Sequence, residues 1–394
     1  MIDSKKTTPA LWNPPFIFLN LSFFLVFTNI AFLYLYPLAL DDMVSGRHMI
    51  GLVMGLFSFA SVLSRPFLGK LVALNGEFRI IFLGMAVSLI ATMSYHLITS
   101  FGPGMLLTRI VHGIGFSSFI AGGFSLAAKL FHPEKRAEAF GILGACLMAA
   151  MALAPAVGEM LIGKWGFQAL YSAAAGSIVL AWLTSYMVYK TSNPSQQEHT
   201  KAHSTYLLHL KNRSFLFLLI STLIFAHCQA TVPNFIALMA TAKGASSGPF
   251  FSVSYTAAII VLLTAGKLID RYGLLAFLRL PYPVFALGVL LIPGMITSSL
   301  FLLPAVLYGV GMGLLFPAHN ALAAGHGSQE QKSAIMSLFT SVYDSGFITG
   351  AIASGWFAHL IGLDMLFVAC GILGFLGFVL VVFSPISNEK SCTS

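Results

Sequence analysis

Charged side chains are scarce in this chain. Lys and Arg number 21 and Asp and Glu 13 among 394 residues, or 9%, whereas a soluble globular protein carries about 25%. Hydrophobic residues make up 57%, and the mean hydropathy is +0.87. No water-soluble fold of this length can bury so much apolar surface, and the chain lacks the low-complexity repeats of disordered or fibrous proteins. The composition therefore excludes an ordinary soluble enzyme and predicts an integral membrane protein.

Signals for nucleic acids, metals and catalysis are also missing. The net charge is +8, but the basic residues stand in twos and threes between apolar runs, so no basic face for nucleic acid forms. The four cysteines show no CxxC pair and predict neither a zinc site nor a disulfide framework. There is no P-loop, H-E-x-x-H or dinucleotide fingerprint. We expect no enzyme activity, no metal and no cofactor, with a proton gradient as the energy source.

One catalytic pattern does occur by sequence. Residues 244–248, Gly-Ala-Ser-Ser-Gly, fit G-x-S-x-G. That motif requires a strand, a turn and a helix around the serine. Here it falls in a predicted external loop, so a chance match is the better interpretation.

Long apolar runs replace the missing charge. A helix needs about 20 mostly apolar residues to cross a bilayer, and we predict twelve transmembrane helices in an all-α membrane protein. The spans lie near residues 15–39, 49–72, 79–98, 103–129, 137–162, 167–189, 214–240, 248–269, 275–297, 300–323, 334–361 and 364–385. One long polar connection divides them. We predict a six-helix bundle over 1–190, a cytoplasmic linker over 191–212 and a second six-helix bundle over 213–394.

The positions of the basic residues predict the orientation. With both termini in the cytoplasm, most Lys and Arg, including Arg65, fall on the cytoplasmic side. Only Arg47, Lys164 and Lys243 fall outside. The first apolar run is too long for a secretory signal and lacks a cleavage site, so we read it as a retained span. Compact loops without sorting signals indicate a multi-pass protein of a bacterial inner membrane.

The two halves share a weak repeat. Gly-Lys-Leu at 69–71 recurs at 266–268, and Gly-x-Gly at 113–115 recurs at 311–313. Both separations are close to half the chain length. Two parallel six-helix halves are the organisation of a rocking-type secondary transporter. Residues shared by the halves are expected to maintain the fold, and ionisable residues found inside only one half are better functional candidates.

These motifs resemble the major facilitator superfamily over essentially the whole chain. Residues 266–273, GKLIDRYG, resemble the family's loop signature Gly-x-Leu-x-Asp-Arg-x-Gly, whereas the copy at 69–76 has Ala73 in place of the acid. The resemblance implies a monomer, and a latch at Asp270 that caps a neighbouring helix in the outward-open state; a purely topogenic loop is the alternative. The gating-loop candidates are Gly69, Gly76, Gly266, Asp270, Arg271 and Gly273.

Two further spans carry family elements. In span four, Arg109 begins a segment that resembles Arg-x-x-x-Gly-x-Gly, and it shares a helical face with His112. The resemblance implies a cavity or proton-coupling role for Arg109, with structural hydrogen bonding as the alternative. Span five has the spacing of the antiporter signature with two glycines replaced by alanine, which implies export. The helix-packing candidates are Gly141, Ala154, Pro155 and Gly158; a generic small-residue face explains them almost as well.

Asp344 is the only acidic residue well inside a span. Its first-half equivalent is about Met148, so the acid is not shared. We expect Asp344 to carry the coupling proton, aided by Arg109, His112 and His227. A permanent structural partnership, with Arg109 or with backbone N–H groups, is the alternative for Asp344. Each deep histidine can equally be a hydrogen-bonded structural residue.

Other polar residues at depth predict the lining of a substrate cavity. They are Asn29, Tyr34, Tyr36, Gln229, Asn234, Tyr255, His319, Asn320 and Tyr343. The abundance of Phe and Met suits an apolar or amphipathic ligand.

The leading hypothesis is a secondary active transporter working by alternating access, exporting a small organic or amphipathic solute in exchange for protons. An importer or uniporter with the same fold is the nearest alternative. A membrane-embedded enzyme or receptor is a remote one, disfavoured by the half-length repeat. The expected partners are the solute, protons and the lipid bilayer.

Overall fold

The computed structural model describes residues 11–131, 133–192, 212–272, 274–327 and 331–383. Within these ranges the regular structure is entirely helical, with no strand. An all-α fold agrees with the apolar composition. A helix in hydrocarbon satisfies its backbone hydrogen bonds within its own segment.

The helices follow the apolar runs. The first half contains α1 (Pro14–Phe32), α2 (Tyr36–Asp41), α3 (Arg47–Asn75), α4 (Glu77–Ser94), α5 (Pro103–Leu130) and α6 (Arg136–Thr191). The second half contains α7 (Arg213–Ala242), α8 (Gly248–Tyr272), α9 (Leu274–Arg279), α10 (Pro281–Met295), α11 (Leu302–Gly325) and α12 (Lys332–Val382). Short 3₁₀ turns cover Leu33–Leu35, Tyr95–Leu97 and Pro133–Lys135.

Two of these helices are too long for one crossing. At about 1.5 Å per residue, the 56 residues of α6 and the 51 of α12 each exceed twice the ~30 Å hydrocarbon thickness. Each bends at a glycine with positive φ, Gly166 (φ 75°) in α6 and Gly362 (φ 84°) in α12. Only glycine adopts such backbone angles freely. The bends divide α6 and α12 into the predicted spans five and six, and eleven and twelve.

Local signals set several helix ends. The side chain of Asn13 accepts a hydrogen bond from the N–H of Phe16 at the start of α1 (2.9 Å), and Asn212 accepts one from Phe215 at the start of α7 (3.3 Å). Asparagine is a preferred N-cap because its side chain satisfies a backbone donor that the helix leaves unpaired.

The helices pack as two bundles. In the first, α1 packs on α6, and both α3 and α4 pack on α5; in the second, α7 packs on α12, and both α8 and α10 pack on α11. Contacts between the bundles run mainly along α3 with α12 and α6 with α8. The 191–212 linker and its cytoplasmic location remain predictions, since residues 193–211 lie outside the described ranges.

Glycine contacts refine the register of the repeat. A Cβ on Gly113 would collide with Phe57 of α3, and one on Gly115 would lie 2.7 Å from the backbone N of Ser88 in α4. The matching contacts in the second half belong to Gly309, against α8, and Gly311, against α10. The halves therefore correspond at a separation of 196 residues, two fewer than the Gly-x-Gly match alone indicated.

Candidate functional site

The two bundles meet closely at one end of the molecule. Along α3 and α12 the backbones touch: a Cβ on Gly51 would lie 2.7 Å from the Cα of Gly355. The ring of His48 lies 4.4 Å from that of His359 and 4.9 Å from that of Trp356, between centroids. Under the predicted orientation this end faces outward, and we name it the outer interface.

Helices α6 and α8 also meet at the outer interface, where one carboxylate of α6 contacts the start of α8. Glu159 of α6 accepts hydrogen bonds from the backbone N of Ser247 (2.7 Å) and of Gly248 (2.9 Å), where α8 begins. The hydroxyls of Ser247 (2.5 Å) and Ser246 also donate to it. A negative group is stabilised at the N-terminus of a helix, where unpaired N–H groups and the helix dipole point toward it. Glu159 therefore connects the two bundles.

An ion pair joins the bundles deeper in the membrane. Arg65 of α3 contacts Asp344 of α12, with side-chain exposures of 37% and 14%. Arg65 lies ten residues before the end of α3 and Asp344 twelve after the start of α12, which is about 15–18 Å along each helix. Both charges thus lie inside the predicted spans 49–72 and 334–361, about three turns from the nearer helix end. The partner of Asp344 is Arg65, a residue that the charge count assigned to the cytoplasmic side, and not Arg109.

The pseudo-symmetric counterpart of this pair is apolar. At a separation of 196, Asp344 corresponds to Met148 and Arg65 to Val261. At that level α6 meets α8 through Gly144 and Leu262, with a Cβ on Gly144 3.6 Å from the Leu262 Cδ2 atom. The ion pair therefore exists on one side of the molecule only.

Four of the predicted cavity residues gather between the bundles. The ring of Tyr34 stacks on Phe251 of α8 at 5.9 Å, and Phe251 stacks on Tyr255 at 6.4 Å. The hydroxyl of Tyr343, next to Asp344 in the chain, donates to the Gln229 side chain at 2.9 Å. We name Tyr34, Gln229, Phe251, Tyr255 and Tyr343 the aromatic cluster. It combines flat rings with an amide.

Arg109 and His112 lie instead inside the first bundle. Arg109 is 3% exposed and donates to the backbone carbonyls of Val53 (3.2 Å) and Met54 (3.4 Å) and to the Tyr95 hydroxyl (3.2 Å). His112 contacts the same hydroxyl through Nδ1 (3.2 Å) and the Asn29 Oδ1 atom through Nε2 (2.9 Å). The structure thus brings together Arg109, His112 and Asn29, but away from the space between the bundles.

The directions of these hydrogen bonds fix the form of His112. The Asn29 Nδ2 atom donates to the Ala174 carbonyl (2.9 Å), so its Oδ1 atom must accept from Nε2–H of His112. The Tyr95 hydroxyl accepts from Arg109 and is free to donate to Nδ1. A neutral His112 satisfies every group, whereas a protonated one would leave the Tyr95 hydrogen without this acceptor. Buried networks satisfied in this way specify the packing of a core.

The second bundle contains a matching network. His319 of α11 contacts the Ser221 hydroxyl of α7 (3.2 Å) and the Tyr282 hydroxyl of α10 (3.3 Å) through Nε2. Its Nδ1 donates to the Leu315 carbonyl (2.7 Å). Each bundle therefore has a histidine on its fourth span that joins a tyrosine on the third and a small polar residue on the first. The two histidines are not counterparts, however, since at the separation of 196 residues His112 corresponds to Tyr308 and His319 to Gly123.

The remaining polar candidates are dispersed. Tyr36 is buried beneath the guanidinium of Arg109, 5.7 Å from the ring centroid. His227 links α7 to α12 through Thr349 (3.1 Å). Asn234 donates to the carbonyl of Ala230 in its own helix (2.7 Å), and Asn320 is half-buried on α11.

The helix-packing candidates divide into two groups. Ala154 and Pro155 are buried in α6, and a Cβ on Gly158 would collide with Leu35 and Leu170 of the first bundle. Gly141 meets open space among the described residues.

The gating-loop candidates lie at the opposite end from the outer interface. Gly69 is in α3, Gly76 links α3 to α4 with φ 82°, and Gly266 falls within α8. Asp270 and Arg271 belong to α8 by backbone, but their side chains, like Gly273 as a whole, are outside the described residues. The latch implied for Asp270 therefore stays a prediction.

Two residues of the interface were not singled out from the sequence. Arg65 stands inside the apolar run 49–72. A charged residue within such a run is a signal of an intramembrane charge, and it could have identified Arg65. Glu159 had no signal beyond its place at the end of span five. Among the described residues, no three His, Cys, Asp or Glu side chains are grouped as metal ligands.

Comparison with known proteins agrees with this architecture. The family model described as Major Facilitator Superfamily matches residues 16–292 and 245–391. An uncharacterized MFS-type transporter of Methanocaldococcus jannaschii is 25% identical, over 80% of this chain and 83% of its own. The staphylopine export protein of Staphylococcus aureus is 21% identical, over 91% and 93%. A crystal structure of the nucleoside transporter NupG (D323A mutant) shares the fold with a TM-score of 0.78 at 12% identity, over 93% of this chain and 99% of that one.

Proposed function

Because the chain belongs to the Major Facilitator Superfamily and is a membrane transporter rather than an enzyme, we propose that it exports a small organic or amphipathic solute in exchange for protons. The two bundles would rock about the aromatic cluster, so that the cluster faces each side of the membrane in turn.

The Arg65–Asp344 ion pair carries the proposal. It lies within two predicted spans, joins the two bundles and has no counterpart on the other side of the pseudo-symmetry. A proton on Asp344 removes the negative charge, so that Arg65 loses its partner and α3 is released from α12. Arg65 is 37% exposed, which gives protons and a solute access to the pair. Ionisable residues at this depth commonly mark proton and substrate pathways.

The aromatic cluster supports the solute class. Its rings offer stacking surface, and the Gln229 amide with the Tyr343 hydroxyl offers hydrogen bonds. A mostly apolar pocket with a few polar groups is typical of sites for small organic ligands. Export as the direction is supported by similarity to the staphylopine export protein and by the small residues of α6.

The setting of the proposal is a bacterial inner membrane, with both termini cytoplasmic and the outer interface outside. The distribution of Lys and Arg supports this orientation. The transporter would work as a monomer of two bundles, 1–190 and 213–394, connected by a cytoplasmic linker, and would need no cofactor besides the proton gradient.

Inverted membrane vesicles test the proposal. A quenched dye reports the proton gradient while drugs, sugars, amino acids, metallophores and lysolipids are added in turn. We expect at least one compound to dissipate the gradient with the wild type but not with Asp344→Asn. The matched control is Asp364→Asn, which removes another ion-paired aspartate of α12; its partner is Lys243 of the same bundle, at 2.5 Å. It should retain the response.

Three results would contradict the proposal. If Asp344→Asn responds like the wild type, Asp344 does not carry the coupling proton. If labelled solute equilibrates across the membrane with no response of the dye in the wild type, the chain is a uniporter. An uptake response in right-side-out vesicles would assign import instead.

A further inference from the structure

Glu159 is the most heavily hydrogen-bonded carboxylate described in the chain, and the proposed coupling through Asp344 makes no use of it. Four donors converge on its two oxygens, all of them from residues 246–248 at the start of α8. These residues belong to the Gly-Ala-Ser-Ser-Gly segment that matched a hydrolase motif by chance. In the structure the segment receives a carboxylate from the other bundle.

The contact exists only while the outer interface is closed. Glu159 belongs to the first bundle and α8 to the second, and a Cβ on Gly248 would lie 2.7 Å from the Cα of Ala156. The two backbones are therefore in direct contact beside the carboxylate. Any motion that opens the outer interface separates α6 from α8 and breaks all four hydrogen bonds at once.

The pseudo-symmetry shows what Glu159 adds. At the separation of 196 residues, Glu159 corresponds to Gly355 and Ser247 to Gly51. Gly51 and Gly355 are the residues whose backbones touch where α3 meets α12. The contact between α3 and α12 is thus made by the backbones of two glycines. The equivalent contact between α6 and α8 is made by a carboxylate and a helix N-terminus. Close packing does not require the acid, since the glycine pair closes without one.

Protonation changes this contact strongly. A carboxylate only accepts hydrogen bonds, while a carboxyl group must donate one, and the two N–H and two O–H groups around Glu159 already point at its oxygens. A proton would therefore displace at least one donor and remove the attraction between the carboxylate and the helix dipole.

The lysines near Glu159 in the chain and on the segment leading to α8 have other partners. On its own helix, Lys164 lies over the ring of Trp165 (5.8 Å). On the segment leading to α8, Lys243 pairs with Asp364, and Ser246 and Ser247 are neutral. Among the described residues Glu159 forms no ion pair.

We propose, building on the proposed transport by alternating access, that Glu159 is the outer latch of the cycle: its carboxylate holds α8 while the carrier is closed to the outside, and the latch breaks when the outer interface opens. Removing the carboxylate would then shift the carrier toward its outward-open state.

Thiol labelling measures the latch directly. In a variant without its native cysteines, Ser252→Cys places a reporter one turn into α8, where the serine hydroxyl donates to the Ala152 carbonyl of α6 (2.7 Å). Ser299→Cys, in the exposed turn before α11, identifies the side of the membrane to be labelled. A membrane-impermeant thiol reagent is applied to the side on which this cysteine reacts. Labelling of Ser299→Cys also serves as the reference rate for an exposed thiol.

We expect labelling of the reporter, relative to that of Ser299→Cys, to be faster with Glu159→Gln than in the parent, by between about twofold and thirtyfold if the latch resembles other helix caps. Ser247→Ala removes one donor and should give a smaller increase. Asp42→Asn, an exposed acid on the same side, should behave like the parent.

The latch is overturned if Glu159→Gln is labelled at the parent rate and Ser247→Ala is also unchanged. It is equally overturned if Asp42→Asn is labelled as fast as Glu159→Gln, since the loss of any outer acid would then suffice. The measurement uses neither solute nor gradient, so its failure is distinct from a failure of the vesicle assay, which depends on Asp344.

Discussion

The substitution Gly51→Ala should push the outer interface open. The added Cβ would lie 2.5 Å from the Ala351 carbonyl oxygen and 2.7 Å from the Cα of Gly355, whereas ordinary contacts begin near 3.4 Å. Both obstructing atoms are backbone, so no side chain can rotate away. Helix α3 must move from α12 by about 1 Å, and overpacking of this kind costs about 1–3 kcal/mol.

The closed state alone bears this cost, because α3 and α12 separate when the outer interface opens. A penalty of 1–3 kcal/mol corresponds to a shift of about fivefold to 150-fold toward the open state. Alanine is also a better helix former than glycine, so α3 itself is not weakened. The substitution therefore acts on the equilibrium between conformations.

Distances between spin labels test this expectation. Labels on Ser45→Cys, just before α3, and Leu360→Cys, an exposed position on α12, report the separation at the outer interface. Gly51→Ala should increase the long-distance population. The matched control is Gly176→Ala in α6, where a Cβ meets nothing within 4 Å among the described residues. A distance distribution that is the same in Gly51→Ala, the control and the parent would refute the argument.

Two further predictions concern the networks inside the bundles. Arg109→Lys should lower the thermal unfolding midpoint in detergent about as much as Arg109→Gln, because an ammonium cannot reproduce the planar guanidinium that reaches two carbonyls and the Tyr95 hydroxyl; recovery by lysine would show that charge alone matters. His112→Gln and His319→Gln should each lower the free energy of unfolding by about 1–3 kcal/mol, because buried partners lose a hydrogen bond. The pH profile of proton flux should keep its shape. A displaced profile would assign the histidine to the proton pathway.

The spans could be predicted from the sequence because the bilayer allows few solutions. Span four was placed at 103–129 and the helix covers Pro103–Leu130; span seven was placed at 214–240 and the helix covers Arg213–Ala242. An apolar run of about 20 residues bounded by polar groups has little freedom in where it begins or ends. The two-bundle architecture followed from the half-length repeat.

The partners of the buried charges could not be predicted in this way. Arg109 and His112 share a helical face, but both faces of a membrane helix are apolar, so no hydrophobic stripe shows which neighbour each side chain meets. Arg65 and Asp344 are far apart in the chain, and their pairing depends on how two helices of different bundles are rotated. The repeat did not indicate the two histidine networks because their histidines are not counterparts: at a separation of 196 residues, His112 corresponds to Tyr308 and His319 to Gly123.

The bends at Gly166 and Gly362 have a consequence for how the protein can be handled. Each pair of helices is joined there by a single residue of unusual backbone geometry, so the joint has no spare length. An epitope or a fluorescent protein inserted at either bend would have to splay two helices apart, whereas insertions are tolerated in exposed polar connections. Antibodies and proteases would likewise find little extended chain at these joints. A tag inserted in the polar sequence 191–212 would leave both joints unchanged.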